Sequence, residues 1–362
     1  MLYNLVNPIL KNLDPELANR VALMCLRTLG LKEAKKPNFP TLQQRIWGHD
    51  FATPVGLAAG FDKNAFAISG HFHLGFGFLE LGTVTPKPQS GNPKPRIYRD
   101  VGAEAIINSL GFPSAGHADV GRRLGRFFLN APDHWGIVGI NIGANSPITN
   151  PAEDYKLGMQ SMGGIAHYIC VNVSSPNTKG LRGLLQIDEL SKILDAVIAE
   201  RELIPDKLPA IVLKISPDMA MEDVEPLSNL LIEKGINGLV ISNTTTERPD
   251  VLTEESKSLK GGASGPFLAE RTTELIRAFY PRLKGKVIII GCGGVNDGAS
   301  AYAKIKAGAH LIQMYTALVY KGPKVVNQIN KELAELIKKD GYKNISDAVG
   351  ADHAATGGLA HV

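Results

Sequence analysis

The run Ile211-Val-Leu-Lys-Ile215 is a short apolar segment broken by a single lysine. A strand that is buried on both faces has such a run, whereas a half-exposed strand alternates apolar with polar residues. Seven further runs of this kind occupy residues 55–59, 77–81, 137–142, 168–173, 238–242, 287–291 and 310–314. Eight such strands separated by helical stretches predict an α/β fold, the (β/α)8 TIM barrel, with a doubly wound open sheet as the alternative.

The composition is that of a globular protein. Of the 362 residues, 44% are hydrophobic and 20% are charged, which allows a large core and excludes a disordered chain. Cys25, Cys170 and Cys292 lie far apart and have neither disulfide-framework nor zinc-ligand spacing, so we expect no metal site. No apolar run approaches the roughly 18 residues that a membrane-spanning helix needs.

The net charge of +4 is concentrated at the N-terminus, where residues 1–36 carry six basic and three acidic side chains. The nearly neutral remainder argues against a nucleic-acid partner. Apolar residues at helical spacing predict a two-helix hairpin in this segment, and its second helix begins after Asp14 and ends at Gly30. The apolar face of that helix is predicted to carry Leu17, Val21, Met24, Cys25 and Thr28.

Composition leaves two interpretations of this hairpin open. Its apolar stripe either docks on the body of the protein or rests on an anionic membrane surface, which the accompanying lysines and arginines favour. We expect residues 37–350 to form the barrel. Residues 351–362, rich in alanine, glycine and histidine, are expected to form a C-terminal tail that is a candidate for disorder.

Polar residues follow the predicted strands, at the ends that meet on one rim of a barrel and build its active face. Taken singly, each is best interpreted as a turn or helix cap. Their coincidence at eight strand ends predicts a binding site instead, and a lysine inside an apolar strand needs an anionic partner. The set is Gly60, Asp62, Lys63, Thr83, Asn141, Asn172, Ser174, Ser175, Asn177, Lys214, Ser242, Asn243, Thr244, Gly291, Gly293, Gly294, Tyr315 and Thr316.

The kinds of residue in this set indicate the kinds of ligand. Glycines after the seventh strand, with Tyr315 and Thr316 after the eighth, lie where barrels bind phosphate, so we expect a phosphate-bearing cofactor. Several asparagines and Lys63 suit a small planar anion rich in carbonyl and N–H groups. Ser175 has no histidine near it in sequence and no nucleophile elbow, which favours proton transfer over nucleophilic attack. A long insertion predicts a hairpin of residues 96–99 and 104–108.

Three strings together resemble dihydroorotate dehydrogenase of the class that passes electrons to a membrane quinone. They are Leu57-Ala-Ala-Gly-Phe-Asp-Lys63, Asn172-Val-Ser-Ser-Pro-Asn-Thr178 and Ser242-Asn-Thr-Thr245, and the likeness runs from the helical hairpin to about residue 350. Gly91-Asn-Pro-Lys-Pro-Arg96, Gly261-Gly-Ala-Ser-Gly265 and Gly291-Cys-Gly-Gly294 follow in the expected order. The resemblance implies an FMN-containing flavoprotein, an oxidoreductase that converts (S)-dihydroorotate to orotate in de novo pyrimidine (UMP) biosynthesis.

The resemblance also implies roles for individual residues. Ser175 is then the catalytic base that removes the C5 proton, with a relay through Thr178 or water as a hypothesis. Flavin contacts fall on Ala59, Gly60, Lys63, Thr83, Asn141, Asn172, Lys214, Ser242, Gly265, Gly294, Tyr315 and Thr316. Substrate contacts fall on Lys63, Asn108, Ser109, Leu110, Gly111, Phe112, Asn172, Asn177, Asn243 and Thr244. Arg96 and Tyr315 are candidates for the inner end of a quinone tunnel.

Ser175 distinguishes the quinone-using class, because relatives that use fumarate or NAD carry cysteine at this position. A basic hairpin that contacts anionic lipid agrees with a membrane quinone as electron acceptor. Without a transit peptide or spanning helix, we expect a peripheral membrane protein on the cytoplasmic face of the bacterial inner membrane. The chain departs from the family pattern at Ser109, Pro113, Ala144 and Ser146. Two alternatives remain: a soluble FMN barrel oxidoreductase using fumarate or NAD, and a non-enzymatic barrel that binds a phosphate ligand.

Overall fold

The computed structural model describes residues 13–30, 37–130, 136–178, 180, 183, 186–205 and 208–356. Its strands are β1 (Gln44–Ile46), β2 (His49–Phe51), β3 (Val55–Leu57), β4 (Phe78–Val84), β5 (Ile97–Asp100), β6 (Ala105–Asn108), β7 (Ile137–Ile142), β8 (Tyr168–Asn172), β9 (Ala210–Ile215), β10 (Gly238–Ile241), β11 (Gly262–Ser264), β12 (Ile288–Cys292) and β13 (Leu311–Met314). Its helices are α1 (Pro15–Leu29), α2 (Ile68–Phe72), α3 (His117–Asn130), α4 (Pro151–Met162), α5 (Ile187–Arg201), α6 (Val224–Glu233), α7 (Glu254–Ser258), α8 (Ala269–Leu283), α9 (Gly298–Ala307), α10 (Thr316–Lys321), α11 (Lys324–Lys339), α12 (Ile345–Ala348) and α13 (Ala351–Thr356).

Eight of these strands close into a parallel barrel in the order β3-β4-β7-β8-β9-β10-β12-β13, and β13 pairs with β3. All eight predicted runs are barrel strands, so the (β/α)8 prediction is confirmed and the open-sheet alternative is wrong. Successive side chains of each strand point alternately outward to the helices and inward to the barrel axis. The outward set, such as Leu79, Leu213 and Ile312, packs against the surrounding helices.

The inward side chains form layers along the barrel axis. The lowest layer is apolar and includes Phe78, Tyr168 and Val212, which pack in one cluster beneath the site. The hairpin β1–β2 covers this end of the barrel, because the ring of Phe51 lies 5.6 Å from that of Phe78 and the ring of Trp47 lies 5.5 Å from that of Tyr168. Further along several strands the inward residues are polar, as at Glu80, Lys214 and Gln313, and these lie at the site.

The two long insertions after strands meet in a small antiparallel sheet over the open end of the barrel. The predicted hairpin of residues 96–99 and 104–108 is confirmed as β5–β6. A third strand, β11, pairs with β6 and was not predicted. It comes from the second insertion, so the sheet ties two distant loops together at the rim.

Helix α1 begins and ends where the sequence predicts, with the Asp14 carboxylate accepting from the backbone N–H groups of Glu16 and Leu17 at 3.1 and 3.0 Å. It docks on the barrel through a different face from the predicted stripe. Ala18 is buried, Asn19 Nδ2 donates to the Phe61 carbonyl at 3.3 Å, and a Cβ at Gly70 would collide with the Leu26 carbonyl.

The predicted apolar stripe of α1 faces outward. Leu17 is 45% exposed and Met24 58% exposed, and Cys25 and Thr28 are exposed as well. Within α1, the stripe therefore does not dock on the barrel at Leu17, Met24, Cys25 and Thr28, whereas Val21 is half-buried. The first helix of the predicted hairpin and residues 31–36 lie outside the described residues. Within the described ranges, no helix is long and apolar enough to cross a membrane.

The C-terminal segment begins as a packed helix. Residues 351–356, which we expected to belong to the tail, form α13, where His353 Nε2 lies 3.0 Å from the Ala307 carbonyl oxygen. Asp352 forms a 3.1 Å ion pair with Arg277 of α8. Composition pointed to disorder here because alanine and glycine bury little surface, but these two polar contacts fix the helix. Residues 357–362 lie outside the described residues.

A carboxylate anchors α1 to the rim of the barrel. Glu16 accepts from Arg96 Nε at 2.5 Å and from Lys94 Nζ at 2.7 Å, and Arg96 is itself buried. Burial alone would raise the pKa of Glu16. The hydrogen bonds from Arg96 and Lys94 outweigh burial and lower this pKa to about 2. A lowered acid pKa stabilises the fold at every pH above the ordinary value of 4.5, and the stabilisation is lost as the pH falls towards 2.

We expect Glu16→Gln to lower the free energy of unfolding by about 1–3 kcal/mol, because it leaves the buried Arg96 guanidinium without its carboxylate. Urea denaturation measures this, and trypsin cleavage after the exposed Arg20 and Arg27 reports undocking of α1. Asp50→Asn is the control, since Asp50 pairs with Arg45 where both side chains are mostly exposed. Equal stability of the two variants would contradict the anchoring role.

Candidate active site

A cavity opens at the carboxyl ends of the barrel strands and encloses about 1180 Å³, including its open mouth. Most of the predicted site residues line it together. These are Ala59, Gly60, Lys63, Thr83, Asn108, Leu110, Gly111, Phe112, Asn172, Ser175, Asn177, Lys214, Ser242, Asn243, Thr244, Gly265, Gly294, Tyr315 and Thr316.

Of the residues predicted at strand ends or as ligand contacts, Asp62, Ser109, Asn141, Ser174 and Gly291 do not line the cavity. Asn141 lies behind the wall, and Ser109 turns its backbone towards the rim loops, donating to the Arg96 carbonyl and accepting from Asn92 Nδ2 at 2.8 Å. Of the departures from the family pattern, Pro113 lines the cavity, Ala144 is buried and Ser146 is exposed. Further lining residues that the sequence did not single out are Ala58, Ile97, Ile106, Ser264, Pro266, Leu268, Cys292, Val295, Asn296, Gln313, Met314 and Ala317.

The floor of the cavity is a hydrogen-bonded set of side chains from neighbouring strands. Asn172 Nδ2 donates to Thr83 Oγ1 at 3.1 Å and to Asn141 Oδ1 at 3.0 Å, and Thr83 Oγ1 donates to Asn141 Oδ1 at 2.6 Å. Asn141 Nδ2 in turn donates to Glu80 Oε1 at 2.8 Å. Because Thr83 and Asn172 line the cavity and Asn141 joins them from behind, Asn141 fixes the side chains that a ligand would touch.

Glu80 is the buried carboxylate beneath this floor, and the sequence analysis missed it. Besides Asn141, it accepts from Gln313 Nε2 at 2.7 Å and from Tyr168 OH at 3.2 Å. Lys214 Nζ lies 3.9 Å from Glu80 Oε1, so the anionic partner that the buried lysine requires is present. Burial by itself would lower the pKa of Lys214. Cys292 and Glu80 raise this pKa instead, so Lys214 reaches the cavity as a cation.

Lys63 is the second cation of the cavity and lies in the loop after β3. Its Nζ donates to the Gly60 carbonyl at 2.5 Å. Burial lowers the pKa of Lys63 to about 8, against the opposing effect of Glu16 and Asp62. An anion bound beside it would favour its charged form, so Lys63 is suited to an anionic ligand.

The asparagine amides at the cavity wall are held in pairs. Asn177 Nδ2 donates to Asn108 Oδ1 at 3.0 Å across the rim. Asn243 Nδ2 lies 3.3 Å from Asn172 Oδ1 and 3.2 Å from Ser174 Oγ. Four amides fixed in this way offer donors and acceptors in set directions, as a planar ligand with several carbonyl and N–H groups requires.

Ser175 lies at the cavity wall in the loop after β8. It is buried, and its Oγ accepts from the Asn177 backbone N–H at 3.3 Å, which leaves its hydroxyl hydrogen available for another partner. Three residues on, the buried Thr178 Oγ1 has no hydrogen-bond partner among the described residues. Two buried hydroxyls close in sequence suit a short proton path.

The part of the cavity that suits a phosphate group is a loop of glycines. Gly293 and Gly294 have φ values of 104° and 71°, in the region that favours glycine. A Cβ at Gly294 would overlap the backbone of Ala269, the first residue of α8, so only glycine lets the loop reach this helix N-terminus. After the neighbouring strand β13, Thr316 Oγ1 donates to Ser264 Oγ at 2.9 Å.

The two arginines near the rim differ in their surroundings. Arg96, predicted for the inner end of a tunnel, donates to the Ser90 and Asn92 carbonyls at 2.6 and 2.7 Å in addition to Glu16. Arg99 donates to the Leu13 carbonyl at 3.0 Å and lies near enough to Tyr315 to oppose the burial that raises the pKa of Tyr315 to about 12. Arg96 is thus held by groups of the rim, and the charge of Arg99 acts on Tyr315.

The chain is similar to known proteins over nearly its whole length. A family model described as Dihydroorotate dehydrogenase matches residues 41–337. Dihydroorotate dehydrogenase (quinone) of Azorhizobium caulinodans is 42% identical, covering 97% of this chain and 99% of the relative. The mitochondrial dihydroorotate dehydrogenase (quinone) of Mus musculus is 43% identical, covering 94% of this chain and 87% of the relative.

Solved structures agree with this result. The crystal structure of DHODH from Eimeria tenella in complex with ferulenol has a TM-score of 0.90 and 38% identity, covering 95% of this chain and 99% of that one. The family model, the full-length relatives and the shared barrel all point to the same conclusion. The chain belongs to the dihydroorotate dehydrogenase family.

Proposed function

We propose that this protein oxidises (S)-dihydroorotate to orotate in de novo pyrimidine biosynthesis and passes the electrons to a membrane quinone. The observation that carries the proposal is the convergence of Ser175, the buried Lys214, the half-buried Lys63 and four fixed asparagine amides on one cavity. The names of the relatives support the substrate and the acceptor. No observation favours the fumarate- or NAD-dependent enzyme or a non-enzymatic barrel.

FMN is the proposed cofactor, since family membership implies a flavin and the cavity suits one that carries phosphate. The glycine loop at Gly293 and Gly294 and the N-terminus of α8 suit the phosphate. A bound flavin supplies the hydride acceptor. Lys214, held by Glu80, supplies fixed positive charge inside the barrel where a reduced flavin carries negative charge.

The substrate is proposed to lie between the asparagine amides and Lys63. Dihydroorotate is a cyclic carboxylate with two ring carbonyl and two N–H groups, and its oxidation gives a planar ring; these groups match paired amide donors and acceptors. Lys63, with its pKa near 8, would pair with the carboxylate. Ser175 would take the C5 proton, and the unpartnered Thr178 hydroxyl is the proposed next carrier.

The exposed stripe of α1 is the proposed contact with an anionic membrane. Leu17 and Met24 are exposed, and the exposed Arg20 and Arg27 lie on the same helix, which suits a helix resting on anionic lipid. Arg96 and Tyr315 are proposed to mark the inner end of the quinone path, with Arg99 as a further cation whose charge acts on Tyr315. We propose that residues 1–36 form this membrane element, residues 37–350 the catalytic barrel, and that the protein is peripheral on the cytoplasmic face of a bacterial inner membrane.

We expect Ser175→Ala to slow anaerobic flavin reduction by dihydroorotate about 10²–10⁴-fold, the usual contribution of a general base. Ser175→Cys should keep measurable reduction, with its pH profile moved to lower pH because a thiol has an ordinary pKa of about 8.5. Stopped-flow absorbance measures both rates, and orotate binding is the control that should not change. An unchanged reduction rate in Ser175→Ala would rule Ser175 out as the base.

We expect the double variant Leu17→Glu/Met24→Glu to lose binding to vesicles that contain anionic lipid, because it adds negative charge to the exposed stripe. Turnover with a long-chain quinone in those vesicles should fall with it, while flavin reduction by dihydroorotate should not. Leu203→Glu is the matched control, since Leu203 is 75% exposed and belongs to the barrel rather than to α1. Retained vesicle binding would contradict the membrane role of α1.

A further inference from the structure

Lys304 on α9 is completely buried, yet its ammonium contacts only neutral groups. Its Nζ donates to Thr272 Oγ1 at 2.5 Å, to Thr273 Oγ1 at 3.1 Å and to the Ala269 carbonyl at 3.1 Å, all on α8. Within the described residues no carboxylate pairs with it. Burial lowers the pKa of Lys304 to about 7, against a smaller opposing effect of Cys292, so the protein alone compensates this charge poorly.

The three partners of Lys304 do not need its ammonium to satisfy their own hydrogen bonds. Thr272 Oγ1 also bonds to the Leu268 carbonyl at 2.8 Å and to the Gly293 carbonyl at 3.0 Å. Thr273 Oγ1 donates to the Ala269 carbonyl at 2.7 Å. An apolar side chain of similar length at position 304 would leave none of these oxygens unbonded, so local structure does not account for a buried charge here.

The position of Lys304 relative to the cavity supplies a reason for its charge. Leu268 and Gly293, the two residues that Thr272 bonds, both line the cavity, and a Cβ at Gly291 would lie 3.1 Å from the Lys304 side chain. The ammonium therefore lies one layer behind the glycine loop and beside the first turn of α8. An anion held by that loop would lie in a region of low dielectric constant, where a fixed cation acts strongly.

We propose that Lys304 is the counter-charge for the phosphate group of the bound flavin, acting as a positioning residue behind the Gly293–Gly294 loop. This inference rests on the proposed function, since it assumes that the phosphate occupies this loop. The ammonium then has two effects: it attracts the phosphate, and it costs stability in the flavin-free protein because no protein anion pairs with it.

The test compares FMN with riboflavin, which lacks the phosphate, as probes of the full-length chain stripped of flavin. In Lys304→Met we expect FMN affinity to fall about tenfold or more, from the loss of one full charge, and riboflavin affinity to stay within about twofold. Quenching of flavin fluorescence measures both. The control is Lys306→Met on the same helix, whose ammonium lies over the Tyr302 ring at 5.0 Å and which should bind both flavins as the wild type does.

The melting temperature of the flavin-free protein is a second readout. If Lys304 had a purely structural role, Lys304→Met would lower this temperature. Flavin-free Lys304→Met should unfold at the same or a higher temperature than the wild type, and FMN should raise its melting temperature less. A flavin-free variant that is less stable or does not fold, or equal losses of FMN and riboflavin affinity, would overturn the inference while leaving the proposed function intact. A wild-type chain that binds neither flavin would overturn both.

Discussion

Glu80 and Lys214 face each other inside a closed barrel, where the Glu80 side chain is fully buried and the Lys214 side chain is 6% exposed, at the cavity. A buried charge is tolerated only when an opposite charge and hydrogen bonds surround it, and removing one partner typically costs about 3–5 kcal/mol. Glu80 is held by Asn141, Tyr168 and Gln313 from three other strands. The carboxylate thus fixes the register of polar side chains around the barrel, and with it the floor of the site.

Every second side chain of a barrel strand points inward, so the inward side chains form layers below and above Glu80. Below Glu80 the inward side chains are large and apolar, and the β1–β2 hairpin closes that end. Above it, Thr83, Asn172 and Lys214 open into the cavity. The cavity is therefore placed at one end of a packed core, where loops after the strands form its rim.

Much of this arrangement could be predicted from the sequence, because the signals were local. Continuous apolar runs identify strands that are buried on both faces, and polar residues at their ends identify the rim. Lys214 stood out as a charge inside an apolar strand. Glu80 has the same signal, in Phe78-Leu79-Glu80-Leu81, and the rule applied to Lys214 would have found its partner. A position at a strand end does not by itself place a side chain in the cavity. Asn141 lies behind the cavity wall and bonds the lining residues Thr83 and Asn172.

Other features depend on three-dimensional packing that spacing does not encode. The stripe on α1 was located correctly as a surface of one helix, but spacing does not tell which face meets the barrel, and Ala18 with Leu26 does so. On α9, Lys304 and Lys306 are two residues apart, and only the packing of α8 decides that Lys304 is buried. Strand β11 is three residues long and becomes recognisable only beside β6.

One cavity of this protein is proposed to take electrons from dihydroorotate and to pass them to a quinone. The most direct measurement mixes the flavin-loaded protein anaerobically with dihydroorotate and then adds a quinone, fumarate or NAD in separate samples while the flavin absorbance is recorded. We expect dihydroorotate to bleach the oxidised flavin spectrum and only the quinone to restore it. Bleaching that fumarate or NAD reverses, or no bleaching by dihydroorotate, would contradict it.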